Sequence, residues 1–156
     1  MSRRTTNRSK IEILGHVDLF EGCTKKELAG IASLSTEYEA SAGQVLARQG
    51  ELGAEFFIIV EGRATASRNG VVLAELAATN FFGELALLDG GPRTATVVAD
   101  TDLHLLVLSR SEFRQLCRTY PTVSNRMLKV LGSRLRQADD MIDAAEHPGV
   151  PRHITV

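Results

Sequence analysis

The chain has 156 residues, 44% of them hydrophobic and 24% charged, with a net charge of −1 and two cysteines. That length supports one domain with a core of its own, and the balanced charge gives no bulk field toward nucleic acid or an anionic membrane. No apolar run approaches the roughly 18–20 residues of a membrane span, no apolar segment follows the polar start as a signal peptide requires, and Cys23 and Cys117 lack the spacing of a metal or redox pair, so a reduced, cytoplasmic setting is expected.

Residues 1–10 are polar and basic and are expected to form a disordered lead. Ile11, Leu14, Val17, Leu19 and Phe20 then give a short apolar pattern. Thr24 followed three residues later by Glu27 is a capping box, and it opens a helix with Leu28, Ile31, Ala32 and Leu34 on one face. From about Glu37 the period becomes extended. Runs at 37–40, 44–47, 55–60, 64–67, 71–76, 94–98 and 103–108, punctuated by Gly43, Gly50, Gly53, Gly62 and Gly70, predict an antiparallel sandwich or barrel. The run from Phe56 to Val60 is almost continuously apolar, as a central strand requires, and Asn69-Gly70 is a hairpin signal. Ser109 and Glu112 form a second capping box that starts a helix reaching about Tyr120; Pro121 opens a last helix that runs to about Ala145, and a flexible tail of 146–156 follows. In the last helix Leu128, Leu131, Leu135, Ala138 and Ile142 are spaced 3, 4, 3, 4. The stripe covers only about two heptads, so it either packs on this domain or pairs with a second copy of the chain. Arg126, Lys129, Arg134 and Arg136 read as a solvated face of the same helix.

The most informative stretch is 81–97, FFGELALLDGGPRTATV. Gly83 has no Cβ, so its backbone can approach a ligand closely. Glu84 to Leu88 read as a short apolar helix that Gly90-Gly91-Pro92 must end. The start of such a helix presents free amides and partial positive charge, which suit a phosphate. Arg93 adds a fork of charged donors, Thr94 a hydroxyl and Ala95 a short side chain. Glu84 is an odd neighbour for a phosphate unless it accepts from a donor, and a ribose hydroxyl fits that description. A solvated Glu–Arg pair on a loop is the bland alternative; the glycines, the apolar helix and the Pro-Arg-Thr-Ala run weigh against it.

These residues closely resemble the phosphate-binding cassette of cyclic nucleotide-binding domains, whose pattern runs roughly F-G-E-L/M-A-L and then P-R-S/T/A-A-T-V. The resemblance extends from about Leu19 to the last helix and includes Phe20, Glu27 and Leu28 at the entry, then Ala42-Gly43, Gln49-Gly50-Glu51 and the 57–62 run. It implies an α+β fold: an antiparallel β-roll (a double-stranded β-helix, or jelly roll) at about 37–109, flanked by N-terminal helices and two C-terminal helices at about 110–145, all in one domain of 11–145. By position Glu84 would take the ribose 2′-hydroxyl and Arg93 the cyclic phosphate. Gly83, the amides near Leu85 and Ala86, Thr94 and Ala95 would complete the phosphate shell. Val72, Leu73 and Leu85 would wall the pocket, and Arg134, Arg136 or Gln137 in the last helix would cap the base as that helix closes. A Thr at position 94 is associated with cGMP in the eukaryotic kinase and channel branches, whereas bacterial relatives use the hydroxyl on the phosphate of cAMP. The short, Ala/Gly/Arg-rich chain looks like the stand-alone bacterial form, so cAMP is favoured. The nucleotide is a ligand, and no cofactor is expected. The catabolite activator branch of this family dimerises through its long helix, which is the second reading of the Leu128–Ile142 stripe.

Other chemistries fare worse. A metal-dependent jelly-roll enzyme needs clustered His and a carboxylate on facing strands. Of His16, His104, His147 and His153 only His104 falls on a predicted strand, where a hydrogen-bonded structural role is expected. No nucleophile motif is present, and Asp139-Asp140 are adjacent on a helix and do not face each other. A binding module rather than an enzyme is therefore expected. No DNA-binding domain is expected after the last helix, so a separate effector protein would carry the output. The competing readings are a degenerate domain that binds no nucleotide and serves in protein interaction or dimerisation, and a regulatory subunit or fragment of a larger, separate effector.

Overall fold

The computed structural model describes residues 6–146, so the expected lead at 1–5 and tail at 147–156 lie outside the described residues. Helix formation begins earlier than composition suggests. Helix α1 (Asn7–Gly15) is capped by Thr6, whose Oγ1 accepts from Ser9 N at 3.2 Å, and it buries Leu14. The reading of 7–10 as part of a disordered lead is corrected accordingly: the cap and the docking of Leu14 stabilise a segment whose own composition is polar. A 3-10 turn (Asp18–Phe20) buries Leu19 and Phe20 and leads to α2 (Lys25–Leu34). Both capping boxes form. Thr24 N donates to Glu27 Oε1 at 3.2 Å and its Oγ1 accepts from Glu27 N at 3.1 Å.

Eight strands follow among the described residues: β1 (Thr36–Ala40), β2 (Val45–Ala47), β3 (Glu55–Glu61), β4 (Ala64–Arg68), β5 (Val71–Leu76), β6 (Phe81–Phe82), β7 (Thr96–Ala99) and β8 (Leu103–Ser109). They form two four-stranded antiparallel sheets, ordered β1-β8-β3-β6 and β2-β7-β4-β5. The two-residue β6 was not predicted, because a run of two cannot show a period; it exists through pairing with β3 at Phe57↔Phe82 and Ile58↔Phe81. The Asn69-Gly70 hairpin forms as expected: both residues have positive φ (51° and 78°) between the paired Arg68 and Val71. The short helix α3 (Glu84–Asp89) sits between β6 and β7, and α4 (Arg110–Thr119) and α5 (Pro121–Glu146) end the described chain.

The pleat explains the continuous apolar run. Phe56 and Ile58 face a cluster built with the helices, including Leu14, Phe20, Ile31, Phe113, Leu116, Val123 and Met127. Phe57 and Ile59 face the roll interior with Phe82, Val97, Ala99, Leu103 and Leu105. Alternate side chains from Phe56 to Ile59 thus serve two cores, so all four of these β3 positions are apolar. β6 repeats the device with Phe81 toward the helices and Phe82 inside.

The face of α5 turned to the domain is not the expected stripe. Val123 and Met127 are buried in the helix-side core and Val130 packs against it, while Leu128 and Leu135 are 70% and 67% exposed. Self-packing of the 3-4-3-4 leucine stripe is therefore overturned at those two positions, and nothing describes the Ala138 and Ile142 side chains. The basic face is corrected as well at one residue. Arg126 donates from Nη2 to Asp18 O at 3.2 Å and to Glu21 Oε2 at 2.9 Å, tying α5 to the 3-10 turn.

Candidate functional site

Arg93 is the buried centre of the site, only 6% exposed. Its backbone is fixed first: Arg93 N donates to Glu51 O at 2.8 Å, Gly50 N donates to Arg93 O at 2.9 Å, and Leu52 and Pro92 form an isolated antiparallel bridge. Its side chain then passes between two glycines. A Cβ on Gly53 would run into Nε and Cζ of Arg93, and one on Gly83 would lie 2.5 Å from Nη1 and 2.7 Å from the Glu55 carbonyl oxygen. At the end of this slot Nη2 donates to Glu55 O at 2.8 Å and Nη1 to Gly83 O at 3.3 Å. The Glu55 carboxylate stands 3.6 Å from Nη2, and the Phe57 ring centroid 5.9 Å from Cζ, within cation–π range. Burial pushes the Arg93 pKa below the usual arginine value and Glu55 pushes it back up; a guanidinium stays charged through such a shift.

The cassette is seated beside this cation by aromatic packing. Phe57 stacks on Phe82 at 4.8 Å with 17° between ring planes, which sets the entry to Gly83. Gly83 then turns the chain at φ +94°, a conformation that favours glycine, directly into α3. Glu84 opens α3 and is 2% exposed, and Leu87 is fully buried under it. Leu85 and Leu88 face outward. Thr94 is exposed and Ala95 half-buried beside Arg93 in sequence, with Thr94 O accepting from Arg68 Nε at 2.7 Å.

Gly83, Glu84 and Arg93 are thus brought to one place. Ala86 lies in α3; its side chain is not described. Val72 and Leu73 lie on the edge strand β5 and are exposed. Of the base-cap candidates, Arg136 is exposed, and Arg134 and Gln137 are placed only as α5 residues. A cleft of about 430 Å³ separates β5 and the following turn from α5, with Ala74, Asn80, Val130 and Ser133 in its walls. Three residues that hold Arg93 escaped sequence reasoning: Gly53, Glu55 and Phe57. Gly53 was visible only as a turn glycine, and the Glu55 contact spans 38 residues of chain. His104 is buried on β8 with Nε2 3.9 Å from Glu37 Oε2. Among the described residues no group of three or more His, Cys, Asp or Glu is placed to hold a metal ion, and no helix is long and apolar enough to cross a membrane.

Comparison with known proteins gives the family. The profile of the cyclic nucleotide-binding domain matches residues 37–120, and the chain belongs to that family. It is 37% identical over 118 residues to a cyclic nucleotide-gated potassium channel of Rhizobium etli, covering 76% of this chain and 33% of the channel. Its fold is similar to the crystal structure of the Thermus thermophilus catabolite activator protein, with a TM-score of 0.79 and 32% identity over 83% of this chain and 63% of that one. It is also similar to the regulatory domain of Toxoplasma gondii protein kinase A crystallised with cAMP, with a TM-score of 0.73 and 27% identity over 81% and 50% of the two chains. The chain therefore spans less than two thirds of the length of each of these relatives.

Proposed function

We propose that the domain is a cyclic nucleotide receptor that favours cAMP and signals through α5, as a binding module and not an enzyme. The observation that carries this reading is the buried Arg93 guanidinium, held in a glycine-lined slot against the start of α3. A guanidinium has five N–H donors; the carbonyls of Gly83 and Glu55 take one each, which leaves donors for a phosphate. The cyclic phosphate would dock on Arg93, Thr94 and the amides of 83–86, with Glu84 orienting the ribose hydroxyl. The exposed Val72, Leu73 and Leu85 supply apolar surface for the base. Closure of α5 over the cleft beside β5 would carry one of Arg134, Arg136 or Gln137 to the base, and preference for the closed state is what would generate a signal.

Isothermal titration with cAMP and with cGMP, on wild type and Arg93→Ala, tests this. Micromolar or tighter binding is expected, weakened roughly 30- to several-thousand-fold in the variant, since a lost charge-assisted contact to a buried phosphate costs about 2–5 kcal/mol. The ratio of the two affinities, repeated with Thr94→Ala, reads the role of the hydroxyl. No binding of either nucleotide by folded, ligand-free protein would reject the reading.

A second reading is supported by the exposure of Leu128 and Leu135: a dimerisation or protein-interaction element. Sedimentation over a range of concentrations, with and without nucleotide, separates the two. Association that is abolished by Leu135→Glu and indifferent to nucleotide would favour this second reading.

A further inference from the structure

Arg110 is the first residue of α4, directly after its N-cap Ser109. A helix start is an unfavourable place for a cation, because that end already carries partial positive charge. Yet the side chain is not simply turned to solvent. Its Nε is buried and has no hydrogen-bond partner among the described residues. Its guanidinium lies on Gly90, with Nη2, Cζ and Nη1 at 2.7, 3.4 and 3.4 Å from the place a Cβ there would occupy. Gly90, at φ +70°, is the residue that ends α3.

α3 is six residues long, far below the length at which a helix holds itself in water. Leu87 anchors it from beneath, while Leu85 and Leu88 face outward. The last carbonyls of a helix have no partners within it and carry partial negative charge, so its C-terminal end favours a cation. The Arg110 guanidinium is a cation placed against Gly90, the residue directly after that end. Asp89, the acid at the same end, accepts from Gly91 N at 2.8 Å and so shapes the turn that follows.

We propose that Arg110 is a positioning residue for the cassette. It clamps the C-terminal end of α3 to α4 and so fixes where Glu84 and the first α3 amides stand relative to Arg93. The inference rests on the nucleotide-binding reading above, but its test has an arm that does not need a nucleotide. Amide hydrogen exchange on the ligand-free full chain compares wild type with Arg110→Met, which keeps the apolar stem, and with Arg110→Lys, which keeps the charge; Arg110→Gln serves as a second neutral variant. Exchange should quicken in 84–90 for the neutral variants and stay unchanged in the β3 and β8 cores, with the Lys variant close to wild type. Titration with cAMP should show binding weakened about ten-fold in the neutral variants and largely restored in the Lys variant. Exchange in 84–90 like wild type, or equal quickening of β3 and β8, would overturn the proposal, as would neutral variants binding within two-fold of a wild type that binds. A wild type that binds no nucleotide rejects the receptor reading, while the exchange comparison still decides whether Arg110 holds α3.

Discussion

Gly53 and Gly83 flank the same guanidinium but predict different phenotypes. At Gly53 the nearest atoms to the added methyl would be Nε, Cζ and Nη2 of Arg93, all of one side chain and none of them backbone. Gly53→Ala should therefore leave stability within about 1 kcal/mol of wild type and displace the cation, weakening cAMP binding by roughly ten-fold or more. At Gly83 the methyl would also meet the Glu55 carbonyl oxygen, 2.7 Å away on a central strand, and the backbone is at φ +94°. Gly83→Ala should lose about 1–3 kcal/mol of stability together with binding. Urea unfolding and titration on both variants distinguish a displaced guanidinium from a strained backbone. The cassette glycine was legible in the sequence because its neighbours follow a known pattern. The role of Gly53 was not, because the group it makes room for lies 40 residues on (93 − 53).

At the scale of elements, short-range chemistry was the most legible. Both capping boxes form between residues three apart, and the Asn69-Gly70 turn needs only two residues with positive φ. Helix α5 shows where local reasoning stops. Its leucine spacing was real, but a helix has several stripes, and docking on the 3-10 turn and α4 selected Val123, Met127 and Val130. Gly132 lies in this helix just beyond the docked part, with nothing within 4 Å of where its Cβ would be. Nothing steric requires a glycine there, so Gly132→Ala should stabilise the helix by about 0.5–1 kcal/mol. A rise in melting temperature of about 2–4 °C per kcal/mol checks this. If α5 must bend at Gly132 to close, the same variant should alter cAMP affinity.

At the scale of the whole molecule, β3 and β8 divide the structure into two cores and join them. Ile58 belongs to the helix side and Ile59 to the roll interior, both fully buried. Ile58→Ala and Ile59→Ala should each cost about 2–5 kcal/mol. Each should lower one cooperative transition, since the strand backbone is common to both layers. Cys23 and Cys117, packed against the helix-side core, report on it separately. Burial pushes both thiols above the usual value of 9.0, with Glu27 adding to the rise at Cys23 and the Ser124 hydrogen bond opposing it at Cys117. Folding therefore favours the neutral thiols. Their contribution to stability is complete below the usual thiol pKa and is lost as pH rises past it. Alkylation at neutral pH should be slow until the protein unfolds, and its midpoint in denaturant should coincide with that from circular dichroism in both isoleucine variants. A thiol transition that precedes the loss of β structure would show that the helical layer opens on its own.

What the sequence by itself determined about this protein is what depends on residues close together in the chain: the caps, the hairpin, the apolar central strand and the Gly-Glu-Leu-Ala cassette with its following arginine. Period and turn chemistry act over a few residues, so they can be read without coordinates. Only the tertiary structure decided which α5 face is buried, that Phe81-Phe82 become a strand, and that Arg93 ends between Gly53, Gly83 and the Glu55 carbonyl. Those outcomes depend on pairing and burial between segments far apart in sequence, where each position accepts whatever surface the rest of the fold presents to it.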